Sequence, residues 1–162
     1  MWNEQIIMML LEGIKDTLYM TLTSTLIGYV IGLPMGILLT VTDKDGIHPN
    51  TAVYKVLDVI ANLIRSVPFL ILLIVLIPFT RFLIGRSYGP TATIVPLVIA
   101  AAPYIARMVE SSLKEVDAGV IEAARSMGAS NFTIVTKVML VEARTTLIVG
   151  ATISLGTILG YS

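Results

Sequence analysis

The chain has 162 residues, 56% hydrophobic and 14% charged, with a mean hydropathy of +0.88. Soluble domains are about 45–50% apolar and about 25% charged, so a water-soluble fold of this size has too little interior for its apolar side chains, and disorder, which needs low hydrophobicity and high charge, is excluded as well. Eleven basic against eleven acidic residues leave no net charge to attract nucleic acid, and the lack of cysteine removes disulfides, thiolate metal sites and Cys nucleophiles; what remains is a membrane protein.

Residues 2–16 have no basic n-region and no cleavage site, so they are not a signal peptide. Trp2, Ile6, Met9, Leu10 and Gly13 recur at helical spacing, which suits either an interfacial helix or a plain lead-in to the first span. That span is the charge-free run 17–42, 26 residues long. At about 1.5 Å per residue it exceeds a hydrocarbon core of about 30 Å. Ser24, Gly28, Gly32 and Gly36 put a small residue at every fourth position, on one face. Such a stripe serves close helix packing or lines a pore. Pro34 loosens the hydrogen-bond ladder near its end.

Residues 42–65 read as a polar connection carrying Lys44, Lys55 and Arg65. Within it His48 is a solvated loop residue. Asp43-Lys44-Asp45-Gly46 fails as a calcium loop because Tyr54 stands where a bidentate Glu is needed. The second span, 66–85, joins the uncharged run 66–80 to a segment beyond Arg81, which can snorkel to the headgroups. Ser66 is expected to cap this helix with Pro68 in its first turn. Pro78, like Pro96 and Pro103 in the third span, 87–106, is expected to free a carbonyl at depth.

Residues 107–144 form a long polar loop. Arg107 and Glu110, three apart, make either a structural pair or a gate. Ser112-x-x-Glu115 has the spacing of a capping box and Asp117-Ala118-Gly119 that of a turn. Val120 to Met127 is a short helix, with Gly128 after it where a left-handed residue is wanted. Ser130 caps a further helix through Phe132, Val135 and Val138 toward Leu140. Such a helix-turn-helix knob packs on its own bundle or docks into a groove of another protein. A fourth span, 145–162, ends the sequence.

The two connections 42–65 and 107–144 hold eight of the eleven cations, which places them in the cytoplasm and the amino terminus outside. No Asp or Glu lies inside a span, which argues against a self-powered proton carrier. Nothing resembles a P-loop, and the eight methionines read as adaptable packing. The residues alone thus allow a transporter driven from outside the chain, a stand-alone channel or secondary carrier, or a membrane scaffold. All share one architecture: all-α, a polytopic helix bundle of about four spans with a cytoplasmic helical loop.

Glu122-Ala123-Ala124-Arg125-Ser126-Met127-Gly128-Ala129 resembles the EAA motif of ABC-importer permeases. Arg65-Ser66-Val67-Pro68-Phe69, Ile77-Pro78-Phe79-Thr80-Arg81, Ala102-Pro103-Tyr104-Ile105-Ala106-Arg107-Met108-Val109-Glu110 and Gly150-Ala151-Thr152-Ile153-Ser154 are similar to the D-/L-methionine uptake branch of that family. The resemblance implies a non-enzymatic transport subunit of the bacterial inner membrane, without cofactor or metal. The whole of 1–162 would be its transmembrane domain. It further implies a homodimer, a cytoplasmic ATPase partner and an extracytoplasmic substrate-binding lipoprotein. Glu122, Ala123, Ala124, Gly128 and Ala129 would then be the residues that couple to the ATPase; another amino acid or small solute is the alternative cargo. The family pattern departs in two places. Leu140-Val141 stands where Leu-Pro is usual, so the helix is expected to run on into the fourth span. Five spans are usual in the family, so the chain reads as truncated at its carboxy end.

Overall fold

A computed structural model describes residues 4–162, and all regular structure among them is helical. Trp2, the first residue of the amino-terminal helical pattern, lies outside the described residues. The rest of that pattern is continuous with the first span in one helix of 39 residues, α1 (Glu4–Thr42). Pro34 is exposed inside it without ending it. The other long apolar helix is α5 (Pro90–Lys114), which starts after Gly89 (φ 94°) with proline in its first turn. Among the described residues, only α1 and α5 are each long and apolar enough, as single helices, to cross a membrane.

These two pack face to face. Thr21, Ser24, Thr25, Gly28, Gly32, Gly36, Leu39 and Thr40 form the buried stripe of α1. Opposite lie Ala101, Ala102, Ile105, Ala106 and Val109 of α5. With small residues on both sides the backbones approach so closely that a β-carbon at Gly36 would sit 2.5 Å from the Ala106 carbonyl oxygen. Lipid is as apolar as leucine, so association within a bilayer relies on this kind of van der Waals contact. Pro96 and Pro103 are both buried inside α5.

The expected second span is not a single rod. Residues 51–66 are helical, not a loop: α2 (Thr51–Ser66) is capped by Asn50, whose Oδ1 accepts from the Val53 N–H at 3.2 Å. The chain then breaks by 103° into α3 (Phe69–Val75). Ser66 is the last residue of α2 and donates to the Asn62 carbonyl at 2.6 Å, so it caps nothing. Pro68 is what forces the break, since proline drives the residue before it to extended backbone, and Val67 sits at φ −89°, ψ 124°. A second interruption at Leu76 starts α4 (Ile77–Ile84), with Pro78 in its first turn. There no intrahelical donor is needed, so Pro78 does not free a carbonyl as expected.

The expected loop begins later than residue 107, because α5 continues to Lys114. Ser112 is therefore buried inside a helix and Glu115 caps its end, which removes the proposed capping box. After α6 (Ala118–Ser126) come α7 (Asn131–Thr133), a π-helical turn (Ile134–Met139) and α8 (Leu140–Glu142). A bend of 71° at Ala143 leads into α9 (Arg144–Leu159). The helix does not run on into the last segment, although no proline stands at the joint. At the bend the Ala143 carbonyl accepts both the Leu147 N–H and Thr146 Oγ1, each at 2.9 Å, which anchors the first turn of α9. If each bent pair counts as one crossing, the total rises to four.

α9 closes the bundle against α5 and α1. Gly150 lies against Met108, and Ser154 Oγ donates to Met108 Sδ at 3.6 Å and to the Gly150 carbonyl at 2.9 Å. Tyr161 stacks on Phe69 with ring centroids 4.8 Å apart. The core runs from Leu97 along Ile105, Val109 and Leu113 to Ile134, Met139 and Ile158.

Candidate functional site

Everything at the Lys114 end of α5 is arranged around α6. Asp117 is its N-cap and not part of a turn: Oδ1 accepts from the Gly119 N–H at 2.6 Å, satisfying one of the open donors of the first turn. The far end closes in a Schellman motif. Gly128 (φ 81°) donates to the Arg125 carbonyl at 3.0 Å, and Ala129 to the Ala124 carbonyl at 3.1 Å. Ser130 then caps the next helix, accepting from the Thr133 N–H. A helix this short is marginal alone, so both caps and its inner face matter.

The inner face carries Ala124, which is 6% exposed and packed on the core that includes Leu113, Ile134 and Met139. The two neighbouring alanines, about 100° apart around the helix, have different surroundings: Ala123 is exposed and Ala124 faces its own bundle. Glu122, Gly128, Val120 and Met127 are exposed, as is Phe132 beyond the Gly128 turn, and Ala129 is half-buried. Met127 at 82% and Phe132 at 78% are among the most exposed large apolar side chains of the chain. Arg125 fastens α6 from the side, donating to the Ile47 carbonyl in the α1–α2 connection at 3.1 Å. Between that connection, α5 and α6 lies a groove of about 610 Å³, lined among others by Asp43, Asp45, Lys114, Ile121 and Arg125.

Behind α6 an ionic cluster joins the α1–α2 connection, α2 and α5. Arg107 Nη1 donates to Glu110 Oε2 at 2.7 Å, while Nη2 reaches Asp58 Oδ1 and, at 3.1 Å, Asn62 Oδ1. Glu110 is 5% exposed and accepts two more donors on Oε1, Lys114 Nζ at 2.8 Å and Tyr54 OH at 3.4 Å. Lys114 extends the cluster to Asp43 Oδ2 at 2.6 Å, which holds the Asp43 carboxyl below its ordinary range. Sequence spacing singled out only Arg107 and Glu110. Tyr54, Asp58 and Asn62 were missed because 51–66 was taken for a loop. The usable signals were Asn50 as an N-cap and the one-turn spacing of Tyr54, Asp58 and Asn62.

The glycines singled out at 28, 32 and 36 all face α5. No group of three or more acidic or His side chains among the described residues could hold a metal ion.

Residues 7–162 match the family described as binding-protein-dependent transport system inner membrane component. Over 160 residues the chain is 49% identical to the D-methionine transport system permease protein MetI of Salmonella typhimurium, covering 99% of this chain and 74% of the relative. The protein of that name from Escherichia coli K12 gives the same identity and coverage. Among solved structures, the native crystal form of the inward-facing MetNI methionine ABC transporter superposes with a TM-score of 0.97 at 49% identity, over 99% of this chain and 74% of the other. An amino acid ABC transporter, 24% identical, shares the fold with a TM-score of 0.70 over 90% of this chain and 64% of its own.

Proposed function

The chain belongs to the family of inner membrane components of binding-protein-dependent transport systems, and from that premise we propose that it is the permease subunit of an ATP-driven methionine importer. Methionine is the cargo named for relatives 49% identical along almost the whole chain. Two copies form the path, a binding protein delivers the substrate outside, and a cytoplasmic ATPase, not this chain, hydrolyses ATP. The ends of α5 and α6 face the cytoplasm, on the side where the cations concentrate.

The single observation that carries the coupling role is the outer face of α6. A helix closed by caps at both ends, seated on the core through Ala124 and tied sideways by Arg125, presents Val120, Ala123 and Met127, with Phe132 beside them. A rigid apolar knob of this kind is built to fill a groove. Ala123 lets the partner approach closely, Glu122 stands exposed at the middle of α6, past the first turn where the helix dipole would favour negative charge, and Gly128 and Ala129 fix how the helix ends. An ATPase can bias the permease only by binding its outward-open and inward-open shapes unequally, and a knob that moves as one body provides that difference.

The test is reconstitution of the chain with its cognate ATPase and binding protein in proteoliposomes. Wild-type vesicles are expected to accumulate methionine only with ATP. Met127→Asp and Phe132→Asp should insert and keep their thermal midpoint, yet lose ATPase co-purification and uptake by roughly tenfold, the effect of about 1.4 kcal/mol of lost contact. Methionine flux through the purified chain without any ATPase would overturn the reading in favour of a stand-alone pore.

A further inference from the structure

We propose that Arg107 and Glu110 form a clamp that holds α2 on α5, so that a displacement imposed on α6 reaches the bend between α2 and α3; both are positioning residues, touching neither cargo nor ATPase. The inference rests on the reading of the chain as an ATP-driven permease.

Of the sixteen residues of α2 only Ala61 is buried. Apolar packing therefore does little to hold this helix, and what fixes it is polar. Arg107 turns Nη2 to α2, to the Asp58 carboxylate and carbonyl and to Asn62 one turn on, while Nη1 binds Glu110 on its own helix. A fork of this geometry cannot be matched by lysine, a point charge. Tyr54, one turn earlier on α2, reaches the same carboxylate. Glu110 is the centre: a buried carboxylate with two cations and a phenol, tolerable only while those partners stay. Such a contact is either made or broken, which gives a discrete joint and not a soft one.

The positions of the elements complete the chain of force. Only Glu115, Val116 and Asp117 separate α5 from α6, so motion of α6 loads the clamped end of α5 directly. Arg125 gives α6 a second hold, on the connection that leads into α2. At its far end α2 turns by 103° into α3. Without the clamp, α6 and α5 move while α2 and α3 stay behind.

The experiment uses the reconstituted complex and measures methionine imported per ATP hydrolysed. Glu110→Gln and Arg107→Gln are expected to assemble and hydrolyse ATP as the wild type does, with the transport ratio down by about tenfold. Should either variant fold poorly, the cysteine-free sequence permits a second arm. In Asp58→Cys with Arg107→Cys, a short bis-methanethiosulfonate bridge should restore the ratio, and reduction should remove it again. Wild-type ratios in the single variants overturn the clamp, as does a bridged double variant that stays uncoupled. A wild-type complex without ATP-dependent uptake instead overturns the parent reading, and the clamp with it.

Discussion

A β-carbon at Gly32 would lie 2.7 Å from the Ala102 carbonyl oxygen and 2.8 Å from Ile105 Cβ. Backbone, not a flexible side-chain tip, would have to yield, so Gly32→Ala should destabilise the chain by about 1–3 kcal/mol, the usual range for overpacking. Gly156 is the control on another helix. No atom lies within 4 Å of its added β-carbon, and alanine there should leave the thermal midpoint in detergent unchanged or raise it through better helix propensity. Equal losses at both positions would mean that close approach to α5 is not what glycine supplies. Charge at the residue scale is tested with pH. Asp43 is held below its ordinary value first by its hydrogen bond to Lys114, against the opposing push of burial. Because the folded value is the depressed one, the ion pair contributes fully above the unfolded value of about 3.9 and is lost as pH falls through the folded value. Lys114 is 42% exposed, so the contribution is at most about 1 kcal/mol after screening. The difference in thermal midpoint between the chain and Asp43→Asn should be flat from neutral pH to about 5, begin to shrink near 4 and vanish only once pH is below the depressed folded value; a difference that grows in acid would contradict this pairing.

Among the elements, the joint at residues 134–143 stands out. Six residues of π-helix insert one extra position into the path from α6 to α9. Deleting the half-buried Thr136 removes that extra position, so the turn should close as α-helix while the register of α9 is kept. Cysteine pairs placed at 108 and 154 should therefore crosslink both before and after the deletion, and loss of the crosslink would mean that the extra position sets how α9 faces Met108. Legibility at this scale follows the range of the forces involved. The caps at Ser130 and Gly128 and the glycine face of α1 could be read from the residues, because each is decided within a turn or two. The break at Val67 was missed because Ser66 looked like the start of a helix when it is the end of one. The π-helical turn and the bend at Ala143 have no proline to announce them. They are set by burial of Ile134, Val135 and Met139 on one side of the bend and of Gly150, Ser154 and Ile158 on the other, which is tertiary. The clamp was half-legible, its α5 half by spacing and its α2 half hidden with the helix that carries it.

For the whole molecule the question is how a push at one end becomes a change at the other, and the EAA segment contains its own control. Ala123 and Ala124 are adjacent and chemically identical, but one faces outward and the other is packed on the core. A partner's push can be passed on only if α6 is firmly seated, so the two contacts act in series: outward contact supplies the bias, inward contact carries it. Enlarging each alanine separates them. Ala123→Leu should leave the thermal midpoint of the isolated chain unchanged while weakening ATPase capture and uptake together. Ala124→Leu should lower the midpoint, by the about 1–3 kcal/mol typical of overpacking, and reduce transport even where the ATPase still binds. Measured side by side, unfolding in detergent and co-purification assign each alanine to its contact. If Ala124→Leu blocked ATPase capture without touching the midpoint, α6 would have to turn over before docking, and the rigid knob would give way to a helix that reorients.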